Sequence, residues 1–437
     1  MIVYNTLTRK KEKFKPIGKI VKIYSCGLTV YDYGHIGNFR SFVFSDLLKR
    51  YLEYLGYKVY KIVNITDVDD KTIKGSIKNG EDLKKYTLRY EKAFFEDGKK
   101  LNIRKADKYP RATENIKEMI KIIEILLKKG YAYKEDDGIY FNVDKFKNYG
   151  KLSKKNLKTK SRIENKNKKN KKDFALWKFY TNEDGNVFWE SKFGKGRPGW
   201  HIECSAMSSK YLGQPFDIHT GGIDLIFPHH ENEIAQSECA FNKKFVNYWL
   251  HNAHVIVNGK KMSKSLGNYF TLRDIIKMGF SPLDLRYFYL TGHYRKKLNF
   301  TLDNLKNSQN SYRRLKRIIS ELKDDKKINK EYLKKFEDEM NNDLDSGKAL
   351  RVLWNLIRDK KAKGKINTIK KIDKVFGLDL LKKEKLSIPK EIKDLIEKRE
   401  KARKEKNFEL ADKLREEIRK KGYSIDDTKE GTIVNKL

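Results

Sequence analysis

The chain has 437 residues, 38% of them hydrophobic, which is enough for two or three domains with cores of their own. Lys and Arg outnumber Asp and Glu by 98 to 59, and the formal charge of +39 favours a polyanionic partner such as nucleic acid, although a lysine-rich proteome would give the same excess. Three cysteines argue against a disulfide framework, and short apolar runs with no signal-peptide pattern predict a cytoplasmic protein that does not enter membranes.

The first elements predict a strand, a helix and a second strand. Residues 17–35 are apolar and rich in β-formers, and they end in a turn. The segment "NFRSFVFSDLLKRYLEYLG" then has helical apolar spacing and a glycine stop at Gly56, and "YKVYKIVNIT" follows as a strand. Strand, helix and strand within about 50 residues predict a right-handed βαβ unit in a parallel sheet.

The middle and end of the chain predict an interrupted sheet followed by helices. Residues 75–130 are expected to be helical, and "YAYKEDDGIYFNV" resembles a hairpin. The segment 151–172 has almost no apolar residues and predicts a solvated basic arm. Strand patterns resume near residue 213, and from about 270 to the end the pattern predicts almost only helices.

The predicted fold class is therefore α/β, a Rossmann-type parallel sheet with an inserted lobe, followed by a mostly helical C-terminal region. Ligands of such sheets bind beyond the carboxyl ends of the strands. The expected divisions are the two halves of the α/β core (1–110 and 196–255), the insertion between them (111–195), and three later segments (256–304, 305–385 and 386–437).

The stretch "YDYGHIGNFR" places His35 between two glycines, directly before a helix. Glycines permit close approach of the backbone, and the first N–H groups of a helix attract anions. His35 and Asn38, three apart, could both donate to phosphate oxygens, although a histidine in a loop is more often an ordinary surface or core residue. The cationic loop "NGKKMSKSLGN" suits the negative charge that develops on phosphates, but a solvated basic turn explains it equally well alone.

A third set of residues could bind a metal. His229 and Glu233 are four apart and share a helix face, and Cys26 and Cys204 could add two thiolates. Ligands scattered over 200 residues carry no spacing signal, so buried free thiols are the alternative, and Cys239 is assigned to that class.

The pair "HIGN" and "KMSKS" resembles the paired signatures of the class I aminoacyl-tRNA synthetases, with Asn38 where histidine is more usual. The blocks "YSCGLTVYDYGHIGNFR", "NITDVDDK", "DFALWK", "GRPGWHIECSAMS", "DIHTGGIDLIFPHHENEIAQSE" and the C-terminal "REKARKEKNFELADKLREEIRKKGYSIDDT" extend this resemblance to the cysteinyl-tRNA synthetase family over nearly the whole chain. The resemblance implies ATP-dependent activation of L-cysteine and its transfer to the 3′ end of tRNA(Cys). It also implies that the divisions are the two halves of the catalytic domain (1–110 and 196–255), a connective insertion (111–195), a stem-contact region with the "KMSKS" loop (256–304), a helical bundle (305–385) and an anticodon-recognition domain (386–437), so that the C-terminal region binds tRNA.

The resemblance also implies residue roles, cofactors and partners. One Zn²⁺ per chain and Mg²⁺ with ATP are the expected cofactors, and tRNA(Cys), ATP and L-cysteine are the expected partners of a monomer. The implied zinc ligands are Cys26, Cys204, His229 and Glu233, and the implied contacts to the substrate cysteine are Gly27, Thr66, Trp200 and His219. The implied catalytic and ATP-binding residues are His35, Gly37, Asn38, Asp224, Lys261, Ser263 and Lys264, and the implied anticodon contacts are Arg403, Asp412 and Asp427.

Two other functions remain open from the sequence. The first is that of the related ligase of mycothiol biosynthesis, which keeps the zinc and ATP motifs but lacks the tRNA-reading tail. This chain has the sequence "KARKEKNFELADKLREEI" of such a tail near its end, which argues against that ligase. A non-catalytic tRNA-binding relic of a synthetase is the second, and the intact "HIG" and "KMSKS" residues argue against it.

Overall fold

The computed structural model describes residues 1–154, 168–263, 265–382, 389–428 and 431–436. The strands are β1 (Ile2–Asn5), β2 (Lys10–Lys13), β3 (Ile20–Thr29), β4 (Lys58–Thr66), β5 (Ala132–Glu135), β6 (Gly138–Phe141), β7 (Phe174–Phe179), β8 (Gly196–Pro198), β9 (Phe216–Gly222), β10 (Val246–Asn252), β11 (Val255–Val257), β12 (Lys260–Lys261), β13 (Leu298–Phe300), β14 (Tyr423–Thr428) and β15 (Gly431–Lys436). The α-helices are α1 (Ile36–Tyr54), α2 (Asp70–Lys78), α3 (Leu83–Lys100), α4 (Ile116–Lys128), α5 (Trp200–Leu212), α6 (Glu231–Phe241), α7 (Leu272–Lys277), α8 (Pro282–Leu290), α9 (Leu302–Ser320), α10 (Lys330–Asn341), α11 (Ser346–Arg358), α12 (Lys365–Phe376), α13 (Lys390–Lys404) and α14 (Phe408–Lys420).

A parallel sheet in the order β10-β9-β3-β4 carries the site. The predicted βαβ unit is confirmed, since β3 and β4 pair in parallel on either side of α1. Helix α1 buries the apolar positions that the periodicity selects, among them Phe42, Leu47 and Tyr51. Because all four strands run in the same direction, their carboxyl ends meet at one edge, where ligands of such sheets bind.

The inserted lobe is an antiparallel sheet in the order β5-β6-β7-β8. Its core joins that of α4, where Ile122 and Leu126 are buried on the same helix face as Met119. The predicted hairpin corresponds to β5 and β6, which pair in antiparallel register. Most of the predicted basic arm at 151–172, namely residues 155–167, lies outside the described residues.

Helices α8 to α12 pack against α1 through a shared apolar core that includes Leu353, Phe376 and Tyr51. A buried ion pair also crosses this contact, since Arg286 of α8 donates to Asp46 of α1 at 2.6 Å. No helix among the described residues is long and apolar enough to cross a membrane.

The chain divides into two compact units, Met1–Leu380 and Leu381–Leu437. In the second unit α13 and α14 are followed by the antiparallel hairpin β14-β15, so the prediction of an almost wholly helical end is wrong there. Tyr423 and Ile425 alternate with polar residues and are buried against the helices, which is a strand pattern too short to stand out from charged helical sequence. The finer domain boundaries stay predictions.

Candidate metal centre and nucleotide site

Four potential metal ligands come together at the carboxyl edge of the parallel sheet. Cys26 lies near the end of β3, and Cys204 lies in α5. A helical turn at residues 226–230 brings in His229, and the first turn of α6 brings in Glu233. One donor atom from each of these residues lies within 4.8 Å of the others.

The distances within this group are those of a compact donor set. The two Sγ atoms of Cys26 and Cys204 are 4.0 Å apart, and Nε2 of His229 is 3.0 Å from Oε1 of Glu233. Two thiolates, an imidazole and a carboxylate are the donor types that tetrahedral zinc prefers, at about 2.0–2.3 Å each. The residues present therefore fit such an ion.

A second set of four donors overlaps the first. Cys26 and Glu233 also lie within 4.8 Å of ring nitrogens of His219 and His230. Because this set has one sulfur donor instead of two, it is the poorer match to a thiophilic cation. His230 faces this set through Nε2, which is 3.2 Å from Sγ of Cys26, while its Nδ1 is 2.8 Å from Nε2 of His251.

The charges in the group depend on each other. Burial opposes ionisation of Glu233, but His219 and His229 outweigh burial and lower the pKa of the carboxyl to about 2. Burial likewise opposes a charge on His229, but Glu233 and Cys204 raise the pKa of its ring to about 10. A hydrogen bond from Cys26 lowers the pKa of Cys204 to about 6, whereas burial raises that of Cys26. Without a bound cation, the negative charge of the group is thus balanced by a proton on the His229 ring. A metal ion that binds there would displace this proton.

A row of aromatic and histidine rings packs against the potential metal ligands. Of these rings, the sequence pointed only to His219. His219 stacks on Trp249 with ring centroids 4.5 Å apart, and Nε2 of His219 is 2.8 Å from Oε2 of Glu233. His251 continues the row, since its Nδ1 is 2.8 Å from Oγ1 of Thr6. His230, next to His229 and three residues before Glu233, could have been found from that spacing, but His251 carries no sequence signal.

The residues predicted to contact the substrate cysteine surround the same group. Trp200 is 38% exposed and stacks on His229 at a centroid distance of 4.2 Å. Gly27 lies so close to β4 that a Cβ atom there would be 1.5 Å from the carbonyl oxygen of Asn64. The Asn64 side chain accepts from the Gly27 N–H at 2.8 Å and donates to Thr66 Oγ1 at 3.1 Å.

Asn64 is a second residue that sequence reasoning missed. Its Oδ1 is 3.8 Å from the Sγ atom of Cys204, so this single amide connects Gly27, Thr66 and a candidate ligand. Its position in the quoted "NITDVDDK" block was the only available signal.

The "HIGN" residues form the N-terminal cap of α1. The His35 Nδ1 atom accepts from the Asn38 N–H at 3.2 Å, and the Asn38 Oδ1 atom accepts from the His35 N–H at 3.1 Å. A phosphate contact by His35 would therefore use Nε2, and one by Asn38 would use its amide NH₂ group. A Cβ atom at Gly37 would be 3.0 Å from the terminal carbon of Met262, so this glycine allows the helix start to meet the "KMSKS" segment.

The "KMSKS" segment follows a tight hairpin. Asn258 and Gly259 both have positive φ (48° and 76°), as the two-residue turn between β11 and β12 requires. Asn268 closes the loop, since it accepts from the Ser263 N–H at 2.8 Å and donates to the Lys261 carbonyl at 3.1 Å.

The remaining residues predicted to bind ATP are Lys261, Lys264 and Asp224. Lys261 is exposed at the end of the hairpin. Lys264 lies outside the described residues. The Asp224 carboxylate is largely exposed, 3.8 Å from Nδ1 of His254, and it lies against the Cα of Gly222, where a Cβ atom would be 2.4 Å from Oδ1.

The predicted anticodon residues lie in the second unit. Asp427 of β14 accepts from both guanidinium NH groups of Arg399, at 2.9 and 2.7 Å, and from Arg403 at 2.7 Å. Asp412 is exposed on α14. The hydrogen bonds to Asp427 are the main reason why the pKa of Arg399 is raised, and the charge of Asp412 adds a smaller contribution. Arg399 is the member of this group that sequence reasoning missed, because a buried arginine in a basic helix has no distinguishing pattern.

Comparison with known proteins gives matches over both units. Residues 13–310 match the family model "tRNA synthetases class I (C) catalytic domain", and residues 387–434 match "Cysteinyl-tRNA ligase anticodon binding domain". The chain is 49% identical to a cysteine–tRNA ligase of Brachyspira hyodysenteriae, with 99% of this chain and 98% of the relative covered. It is 48% identical to a cysteine–tRNA ligase of Chlamydia muridarum, with 100% of both covered.

Solved structures show the same fold at low identity. The methionyl-tRNA synthetase of Mycobacterium tuberculosis, in complex with methionyl-adenylate, matches with a TM-score of 0.60 and 12% identity over 83% of this chain and 89% of that one. A putative arginyl-tRNA synthetase of Campylobacter jejuni matches with a TM-score of 0.53 and 14% identity over 84% and 92%. The predicted class I α/β fold is confirmed.

Proposed function

This chain belongs to the cysteinyl-tRNA synthetase family, and we propose how its residues perform that family's reaction. The chain activates L-cysteine with ATP to cysteinyl adenylate and pyrophosphate, and then transfers the cysteinyl group to the 3′ end of tRNA(Cys) with release of AMP. The cysteine ligase of mycothiol biosynthesis and the non-catalytic relic are not favoured, because the relatives match over the full length and an anticodon-binding domain is present.

The observation that carries the residue assignment is the convergence of Cys26, Cys204, His229 and Glu233 at the edge of the sheet. We propose that these four hold one zinc ion. When bound there, zinc would supply a soft Lewis acid that prefers the thiolate of cysteine to the hydroxyl of serine. Such a preference would make a separate editing site unnecessary, which shape alone rarely achieves for so small a difference.

The surrounding residues would hold the amino acid. The ring of Trp200 forms a wall beside His229, and the backbone at Gly27 leaves space that a side chain would fill. Thr66 and His219 offer a hydroxyl and a ring nitrogen at the two sides of the donor group. Together they would hold the cysteine carboxylate in line with the α-phosphate.

ATP would lie against the start of α1. His35, Gly37 and Asn38 supply ring, backbone and amide donors at the positive end of the helix dipole. Lys261, Ser263 and Lys264 would neutralise the phosphates together with Mg²⁺, and Asp224 would accept from the ribose hydroxyls. No side chain acts as a nucleophile, because the carboxylate of the substrate attacks.

The second unit would read the anticodon. Arg403, Asp412 and Asp427 carry the donors and acceptors that suit exocyclic groups of bases.

The three free cysteines are consistent with action in the cytoplasm. A monomer suffices, because one chain carries every residue predicted to contact a substrate.

The test is ATP–pyrophosphate exchange with cysteine and with serine, on zinc-loaded and on chelated protein, with charging of tRNA(Cys) followed in parallel. We expect exchange that needs zinc, occurs with cysteine only and is accompanied by charging. Equal exchange with serine, or exchange that survives complete removal of zinc, would contradict the proposed role of the donor group.

A further inference from the structure

A cavity of about 360 Å³ lies among α8, α9 and α11, away from the donor group and the "KMSKS" segment. Three arginines line it, Arg314 from α9 and Arg351 and Arg358 from α11. All three side chains belong to exposed residues. The motifs in the sequence give no hint of it, because Arg314 lies 44 positions before Arg358.

Arg351 and Arg358 lie on the same helix, α11, and the packing of α9 against it adds Arg314, so only the tertiary structure brings all three together.

The cavity has cationic and polar walls and an aromatic floor. Asn355, Ser311 and Thr291 add amide and hydroxyl groups to the lining. The Arg358 guanidinium lies 4.8 Å from the ring centroid of Trp354, whose indole N–H donates to the Tyr287 hydroxyl at 2.9 Å. The aromatic contact holds one guanidinium in place while its N–H groups remain available to an anion.

The charge of this cavity is not neutralised from within. No Asp or Glu lines it, and none of its three arginines has a carboxylate within ion-pair distance among the residues that the structure describes. Several other arginines of the chain are paired, as Arg295 is with Asp343 at 2.7 Å. A group of unpaired cations on a folded surface is repulsive, and it is relieved by an anionic partner.

A second cavity of the chain also contains cationic side chains, but there two of them are paired with carboxylates. It has about 260 Å³ and also contains cations, but Asp70, Glu183 and Asp184 line it as well. There Lys178 pairs with Asp70 at 2.9 Å, and Arg197 pairs with Asp184 at 2.7 Å. Cations that are already paired gain little from an external phosphate, so the second cavity is a poorer site for an anion than the first.

We infer that the cavity of Arg314, Arg351 and Arg358 binds sugar–phosphate backbone of the tRNA substrate. This inference rests on the proposed function for the identity of the polyanion. Guanidinium groups pair with phosphate through two parallel N–H···O bonds, and exposed cations gain affinity for a polyanion by releasing its counterions. A free phosphate-bearing metabolite offers the same oxygens without that gain, so we assign the cavity to the polynucleotide.

The packing around the cavity explains why it is preformed. Gly347, in the first turn of α11, lies so close to α8 that a Cβ atom would be 2.7 Å from the Thr291 carbonyl oxygen. Leu350 and Leu353 of α11 are buried in the core behind the arginines. The backbone that carries Arg351 and Arg358 is therefore held by the core, and binding requires ordering of the side chains only.

The experiment replaces each arginine by glutamine, alone and together, in the full chain. Arg313→Gln is the matched control, since Arg313 is exposed on the same helix as Arg314 but does not line the cavity. Measured quantities are the direct tRNA binding constant at several salt concentrations, the KM for tRNA in charging, cysteine-dependent ATP–pyrophosphate exchange and the melting temperature.

We expect each single variant to weaken tRNA binding about 3- to 10-fold, with exchange and melting temperature unchanged. In the triple variant the slope of log binding constant against log salt becomes shallower by about 2, since each lost phosphate contact removes about 0.7–0.9. Non-cognate tRNA loses affinity to the same extent, because phosphate contacts carry no sequence information. Arg358→Lys keeps most of the salt dependence.

Three results would overturn the inference. The first is wild-type affinity and salt slope in the triple variant. The second is a loss of affinity that is matched by Arg313→Gln or accompanied by a lower melting temperature. The third is binding of inorganic phosphate or AMP to the wild type but not to the triple variant, with tRNA binding unchanged, which would make this a small-anion site. Direct tRNA binding is measured without catalysis, so failure of charging alone would count against the proposed function and not against this cavity.

Discussion

The donor group at the sheet edge and the ion-pair group of the second unit each place a carboxylate beside nitrogen-bearing side chains, but only the first carboxylate is fully buried. At the sheet edge the carboxylate of Glu233 is fully buried and has His219 and His229 within 3.0 Å. In the second unit the Asp427 side chain is 29% exposed and is paired with Arg399 and Arg403. The carboxylate at the sheet edge is thus shielded from water, whereas the carboxylate of the second unit is open to solvent and to the RNA contact proposed above.

The largest expected effect comes from breaking the buried group. Cys204→Ser removes one of two thiolates from the donor set, and we expect cysteine activation to fall about 1,000-fold together with loss of bound metal. Exchange assays and metal analysis by mass spectrometry measure the two losses. Cys239→Ser is the control, because that thiol is also buried but lies outside the donor group. Equal losses in both variants would mean that the effect is only structural.

The next effect tests how closely the backbone holds the same site. In Gly27→Ala the new methyl group would collide with the Asn64 carbonyl at 1.5 Å, so we expect about 3 kcal/mol of destabilisation or more. Denaturant unfolding measures it. Gly18→Ala has no atom within 4 Å of its Cβ position and should change stability by less than about 1 kcal/mol. Similar stabilities of the two variants would contradict the close approach.

A smaller effect is expected at the exposed group. Asp427→Asn removes the carboxylate that holds Arg399 and Arg403, and we expect kcat/KM for tRNA to fall about 10-fold while pyrophosphate exchange stays unchanged. Asp394→Asn, on the exposed face of α13, is the control. A matching fall in exchange would mean that the change is not confined to tRNA recognition.

The smallest effect is a dependence on pH. Hydrogen bonds from Arg399, aided by Arg403, lower the pKa of Asp427. Because the folded pKa lies below the unfolded value of about 3.9, this pair stabilises the second unit fully above that value and loses its contribution as the pH falls through the folded pKa. The contribution is about 1 kcal/mol or less, since the carboxylate is partly exposed.

Hydrogen exchange of the α13 and α14 amides, in the full chain, measures this contribution. The difference in opening free energy between wild type and Asp427→Asn should be present at pH 6 and decrease as the pH falls below 4. A difference that is constant over this range would show that the ion pair does not stabilise the unit.

The sequence alone determined the class of fold and the identity of the reaction. Apolar periodicity located α1 and the flanking parallel strands, because a period of 3.6 or an apolar run reports directly on which face is buried. The terminal hairpin β14-β15 was missed, because short strands among charged helices carry a weaker signal. The "HIGN" and "KMSKS" motifs each consist of consecutive residues, so they could be recognised without the fold.

Only the tertiary structure decided which other atoms meet. Asn64 joins Gly27 to Cys204, and the stacked rings of His219 and Trp249 support Glu233 from behind. The arginines of the cavity between α8, α9 and α11 meet only when those helices pack. A sequence encodes local propensity over a few residues, whereas contacts between distant residues depend on chain topology and packing, which no local pattern contains.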